Sequence, residues 1–102
     1  MKNNVVVGID VSKDFSYLCM IGPDGKKLGK PFKVLHTQEG LNLALKRLKE
    51  VENQYGSKCI LVMEATGFYS RLLFHFFHQS NLEVWMVNPI QSNSIKNIRL
   101  EK

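Results

Sequence analysis

Only three residues, Ser12-Lys13-Asp14, separate the two strand-like runs that open the chain, Val5 to Val11 and Phe15 to Ile21. A gap that short permits an antiparallel hairpin and excludes a parallel crossover, which takes a dozen or more residues. Pro23-Asp24-Gly25 supplies the next turn, Pro presetting φ and Gly accepting φ > 0. A third strand is expected from about Lys27 to Leu35. Pro31 and the lysines Lys26, Lys27, Lys30 and Lys33 suit an edge strand, where a missing N–H and exposed charge are tolerated. Three strands joined by tight turns form a meander. A doubly wound sheet alternates strand and helix from the outset and is therefore disfavoured.

The remainder changes period. Thr37 has the form of a helix N-cap, and Leu41, Ala44, Leu45, Leu48, Val51 and Tyr55 share one helical face before the stop at Gly56. Cys59 to Met63 is a short apolar strand ending at Glu64. Thr66 is placed to cap a second helix with Tyr69, Leu72, Leu73, Phe76 and Phe77 on its apolar face. Leu82 to Val87 reads as a fifth strand, and Asn88-Pro89 as an N-cap with Pro at the first helical position, ahead of the weakly periodic stretch Ile90 to Lys102. Each later strand is reached across a helix and should run parallel to the first. The expected fold is α/β, a mixed five-stranded sheet with flanking helices. A strand order of 3-2-1-4-5 is the ribonuclease-H-like arrangement.

At 102 residues the chain suits one domain. Its 44% hydrophobic content argues against disorder, and no apolar run approaches the length that spans a bilayer. The start Met1-Lys2-Asn3-Asn4 leads straight into a strand rather than a signal sequence, so a soluble, cytoplasmic protein is expected. The formal charge of +5 favours anionic partners. Residues 1–36 carry six Lys against three Asp, whereas residues 59–87 hold only Arg71 against Glu64 and Glu83. Cys19 and Cys59 form no metal-ligand cluster. In the expected strand order they lie two strand spacings apart, about 9–10 Å, too far for a disulfide, so reduced, buried thiols are expected.

Asp10 shares one face of the first strand with Val6 and Gly8. An ionised carboxylate near a sheet centre is costly unless paired, hydrogen-bonded or bound to metal, and Gly8 leaves room on that face for a ligand or a close-packed backbone. The plain alternative is a strand-end carboxylate accepting turn N–H bonds. Glu64 repeats the pattern, ending an apolar strand just before a helix. If strands 1 and 4 are parallel neighbours, the two acids converge at the carboxyl edge of the sheet, where open α/β sheets place ligands. Two convergent carboxylates repel unless a cation or proton lies between them. Oxygen ligands without His or Cys suit Mg²⁺ or Mn²⁺ rather than zinc.

Gly8-Ile9-Asp10-Val11-Ser12-Lys13-Asp14, Met63-Glu64-Ala65-Thr66-Gly67-Phe68-Tyr69 and Val87-Asn88-Pro89, in that order, resemble the N-terminal RuvC-like domain of DEDD-type insertion-sequence transposases, the class related to the Piv DNA invertases. The resemblance runs along nearly the whole chain. It implies that Asp10 and Glu64 are the first two metal-binding, catalytic acids of a tetrad. It further implies Mg²⁺- or Mn²⁺-dependent phosphodiester cleavage and strand transfer on DNA during transposition. The family's last two acids are expected beyond Arg99-Leu100-Glu101-Lys102, so residues 1–102 are expected to be an incomplete N-terminal fragment, inactive alone. The implied partners are DNA, the remainder of a transposase chain and, as in some relatives, a structured guide RNA. No membrane partner is expected, and self-association is left open.

Lys13, Lys26, Lys27, Lys30 and Lys33 are candidate nucleic-acid contacts, the plain alternative being solvated charge. Trp85 and the phenylalanines are expected in the core rather than in a base-stacking platform. His75 and His78, three apart on a helix, lack a third ligand for zinc. Two competing readings remain: an actin-like or sugar-kinase-like ATP-binding domain, whose phosphate hairpin is compatible with Gly8-Ile9-Asp10-Val11-Ser12, and a non-catalytic interaction module.

Overall fold

A computed structural model describes residues 4–65 and 67–88. Its elements are β1 (Val6–Val11), β2 (Phe15–Ile21), β3 (Phe32–Leu35), α1 (Gln38–Tyr55), β4 (Ile60–Glu64), α2 (Phe68–Gln79) and β5 (Glu83–Val87). The five strands form one mixed sheet in the order β3-β2-β1-β4-β5. β2 is antiparallel to β1 and β3, whereas β4 is parallel to β1 and β5. No helix among the described residues is long and apolar enough to cross a membrane.

The hairpin between β1 and β2 closes through the Ser12 amide, which donates to the Phe15 carbonyl at 2.9 Å. β3 is shorter than the expected Lys27–Leu35 strand. Residue 27 makes only an isolated bridge to Ile21, and ordered pairing resumes at Phe32. The physical reason lies between them: Gly29 adopts φ +81, and Pro31 has no N–H to offer a ladder. β3 lies at one edge of the sheet, as expected, and β5 at the other.

α1 starts and stops at Thr37 and Gly56. The Thr37 hydroxyl accepts from the Gly40 amide at 3.0 Å, and Gly56, at φ 67, donates its amide to the Glu52 carbonyl. Leu41, Ala44 and Leu48 are buried, with Leu45, Val51 and Tyr55 packed beside them. Gly40 has a steric role as well, because a Cβ there would run into the Leu35 carbonyl oxygen. Only a glycine lets the first turn of α1 lie this close to β3.

α2 departs from expectation at its start and on its face. Its N-cap is Gly67, at φ 123, with no side-chain cap bond, and Thr66 lies outside the described residues. The buried stripe is Ser70, Leu73 and Phe77, while Leu72 is exposed. Ser70 tolerates burial because its hydroxyl donates to the Gly67 carbonyl at 2.8 Å. The Asn88-Pro89 cap and the stretch Ile90 to Lys102 also fall wholly or partly outside the described residues.

Both helices pack on one face of the sheet. Val5, Val7, Ile9, Leu18, Met20, Val34, Leu61 and Met63 form a single cluster with Leu41, Ala44, Leu48, Leu73 and Phe77. Burying each large aliphatic or aromatic side chain contributes about 1.5–3 kcal/mol. Among the described residues no element covers the opposite face, which presents Gly8, Asp10, Tyr17, Cys19, Val62, Glu64 and Trp85. Trp85 is 55% exposed and Phe68 is 71% exposed, which corrects the expectation that Trp85 and all the phenylalanines are core. Trp85 stands on the uncovered face of β5, its indole N–H donating to Glu83 at 2.9 Å. Both cysteines are free. Cys59 is buried as expected, packed under α1 with its thiol 3.7 Å from the Leu48 carbonyl. Cys19 is only half-buried, on the other face, with β1 between the two.

Candidate metal and nucleic-acid site

Asp10 and Glu64 hold matching positions on neighbouring parallel strands. Val6 faces Ile60 and Ile9 faces Met63, and the same offset carried one residue further sets Glu64 beside Asp10. Adjacent strands lie about 4.8 Å apart. Both residues alternate with inward-facing neighbours, Ile9 and Met63, so both side chains project from the uncovered face at its carboxyl edge. They line one shallow groove of about 670 Å³ with Gly8, Tyr17, Cys19, Val62 and Val87. Nothing lies within 4 Å of where a Gly8 Cβ would be. The glycine thus opens the floor of the groove rather than admitting packed backbone.

A backbone bond and the contacts of one histidine brace this edge. The Ala65 amide donates to the Val87 carbonyl at 2.8 Å, tying the exit of β4 to β5. The His36 amide donates to the Asp14 carbonyl at 3.0 Å, and His36 Nδ1 lies 3.1 Å from the Lys13 carbonyl. A carbonyl only accepts, so Nδ1 carries the proton and Nε2 accepts from the buried Ser16 hydroxyl at 2.8 Å. The imidazole also stacks on Tyr69, centroids 5.4 Å apart. One side chain therefore joins the loop after Asp10 to the helix after Glu64. Sequence reasoning passed over His36, since a lone His before a helix cap carries no signal of such contacts.

The five candidate lysines separate in space. Lys13 sits in the hairpin at the carboxyl edge, and Lys33 on β3 is the register partner of Tyr17, itself the partner of Asp10. Lys26 and Lys27 follow the turn at the far end of β2, at the opposite edge of the sheet, and Lys30 lies in the exposed connection before β3. His75 and His78 are exposed, and His78 stacks on Phe74. No group of three or more His, Cys, Asp or Glu that could hold a metal occurs among the described residues. The donor set is two adjacent carboxylates in an open groove. It fits a hard divalent cation that keeps much of its shell as water or phosphate oxygen.

A sequence profile of DEDD transposases of the IS110 type, described as "Transposase", matches residues 7–102. The chain belongs to this transposase family. Among solved structures, the transposase domain resembles T. thermophilus RuvC in complex with a Holliday junction, at TM-score 0.53 and 16% identity over 86% of this chain and 66% of that one. A Bacteroides thetaiotaomicron protein of actin-like ATPase fold and unknown function gives TM-score 0.57 and 17% identity over 93% of this chain and 38% of that one. The foamy viral protease–reverse transcriptase, in complex with double-stranded DNA, gives 0.50 and 11% over 85% and 20%. At such identities these likenesses concern the fold, and the fold is RuvC-like, that is, ribonuclease-H-like. The chain spans less than two thirds of the length of each. No curated protein sequence matches it.

Proposed function

We propose that this transposase domain supplies two acids of a divalent-metal site for DNA phosphodiester cleavage and strand transfer. The observation that carries the reading is the matched register of Asp10 and Glu64 at the carboxyl edge of adjacent parallel strands, on the uncovered face. Mg²⁺ or Mn²⁺ bound there would neutralise charge on the scissile phosphate and activate the attacking oxygen. The chain's own part is positional. β1 and β4 hold the two carboxylates at a fixed spacing, Gly8 keeps the groove open beside them, and Lys13 in the β1–β2 hairpin and Lys33 on β3 offer positive charge toward the β3 side.

Only two carboxylates meet among the described residues, so the remaining ligands come from outside them. The reading of residues 1–102 as part of a longer transposase, acting on DNA in the cytoplasm and in some relatives with a structured guide RNA, belongs to the same proposal. The expected behaviour of this chain is weak Mg²⁺ binding and little or no cleavage. Calorimetric titration with Mg²⁺ and Mn²⁺ tests it, with binding lost in Asp10→Ala and Glu64→Ala. Metal binding indifferent to both substitutions would overturn the site. Robust metal-dependent DNA cleavage by residues 1–102, abolished by Asp10→Ala, would refute the half-site.

A further inference from the structure

The carboxylate pair is one part of a longer row. Strand register aligns Lys33 on β3, Tyr17 on β2, Asp10 on β1, Glu64 on β4 and Val87 on β5 across the sheet. All five project from the uncovered face, and four of them, together with Pro31 and Gly8, border the shared groove. From the acids toward β3 the chemistry changes from anionic to aromatic to cationic within two strand spacings, about 10 Å.

Tyr17 is 42% exposed, a large share for an aromatic residue on an inner strand of the sheet. Its ring is nevertheless held. Phe15 meets it edge to face at 5.6 Å, with the ring planes at 82°, and the Lys33 ammonium lies over the Phe15 ring at 4.4 Å. Such contacts restrict both side chains before any ligand arrives. A restrained, solvent-facing aromatic ring beside a cation is the arrangement that binds unpaired nucleotides. The ring stacks on a base of any identity, and the ammonium takes the phosphate.

We infer that Tyr17, buttressed by Phe15 and with Lys33 beside it, forms a nucleotide platform that holds an unpaired DNA base next to the Asp10–Glu64 pair. This rests on the nucleic-acid reading proposed above. Tyr17 stacks on the base, Lys33 pairs with a phosphate of the same strand, and the carboxylates lie one strand away from the ring. The strand is single-stranded or locally opened, because a base inside a duplex has no free face to offer. The platform selects unpaired over paired DNA and is indifferent to sequence.

The test measures affinity of the full chain for a fluorescein-labelled single-stranded oligonucleotide in Mg²⁺, by anisotropy, across a salt series. Tyr17→Ala is expected to weaken binding about tenfold, and Tyr17→Phe to stay within about twofold, since stacking needs the ring and not the hydroxyl. Lys33→Ala should lower the magnitude of the salt slope by about 0.7. On an oligonucleotide made abasic throughout, Tyr17→Ala and the unaltered chain should bind alike. If Tyr17→Ala does not fold, Tyr17→Leu keeps apolar bulk without a ring and should show the same loss. Absence of single-strand binding, equal affinity of the ring-less variant, or an equal loss on the abasic strand would each overturn the platform. A parallel Mg²⁺ titration of Asp10→Asn separates the two ideas. Its failure removes the metal reading and leaves the Tyr17 result standing, and the reverse outcome removes the platform alone.

Discussion

The Ser16 hydroxyl lies 2.8 Å from Nε2 of His36, 20 positions along the chain, and Ser16 is wholly buried. The contact fixes the imidazole between the Lys13 carbonyl and the Tyr69 ring. His36→Ala removes both hydrogen bonds and strands a buried hydroxyl, so it should cost about 2–3 kcal/mol in urea unfolding. His36→Asn, which keeps one donor and one acceptor, should recover part of the loss. Combined with Ser16→Ala, a double-mutant cycle should return a coupling of about 1 kcal/mol. Strict additivity would show that the pair does not act as a unit.

The neighbouring carboxylates should be a burden when no cation is present. Like charges side by side on a sheet destabilise by up to about 1 kcal/mol. Asp10→Asn should therefore raise the melting temperature in EDTA, by at most about 4–8 °C, and Mg²⁺ should raise that of the unaltered chain but not of the variant. A lower midpoint for Asp10→Asn in EDTA would mean that the acid serves the fold instead.

Two glycines should respond differently to alanine. Gly40→Ala drives a methyl group into the Leu35 carbonyl and should destabilise by about 1–3 kcal/mol, the cost of overpacking. Gly8→Ala enters open space, so the fold should tolerate it within about 0.5 kcal/mol. Chemical denaturation of both variants compares them directly. Equal destabilisation would contradict the close approach of α1 to β3.

Burial pushes the Cys59 thiol from 9.0 up to about 11, aided by the Glu52 carboxylate and opposed by Lys49. The folded state thus holds the proton more tightly than the unfolded chain. Its contribution is fully present below pH 9 and is lost as the pH rises through 11. The loss is on the order of 3 kcal/mol. Cys59→Ala should flatten this part of the stability profile when unfolding midpoints at pH 8 and pH 10.5 are compared with the unaltered chain. In the folded protein at pH 8, a thiol reagent should label Cys19 quickly and Cys59 only after unfolding.

Much of the architecture was legible in one dimension. Ser12-Lys13-Asp14 is too short for anything but a hairpin, and the gaps from Leu35 to Ile60 and from Glu64 to Glu83 each admit a helix and a parallel return. Thr37 and Gly56 bounded α1 because capping is local chemistry. The placement of Asp10 and Glu64 at strand ends, and so at one edge of the sheet, followed from the same spacing.

What the chain could not declare by itself was which side of each strand meets the helices. Apart from Gly8, and Asp10 and Glu64 near their carboxyl ends, β1 and β4 are apolar on both faces, and β2 carries apolar residues on both, so alternation marks the inside only weakly. A polar Ser16 is buried while Tyr17 stands in solvent, the reverse of what side-chain polarity suggests. Both crossovers proceed across the sheet in the same direction with the same hand, which brings α1 and α2 onto one face and leaves the other uncovered. That packing made Trp85 a surface residue, left Lys33, Tyr17 and Asp10, aligned by strand register, on the open face, and brought Tyr69 of α2 against His36. Local periodicity determined the order of the elements and the positions of the two acids along their strands. The choice of buried face on each strand was decided by the helices, because burial is a property of what packs on a strand.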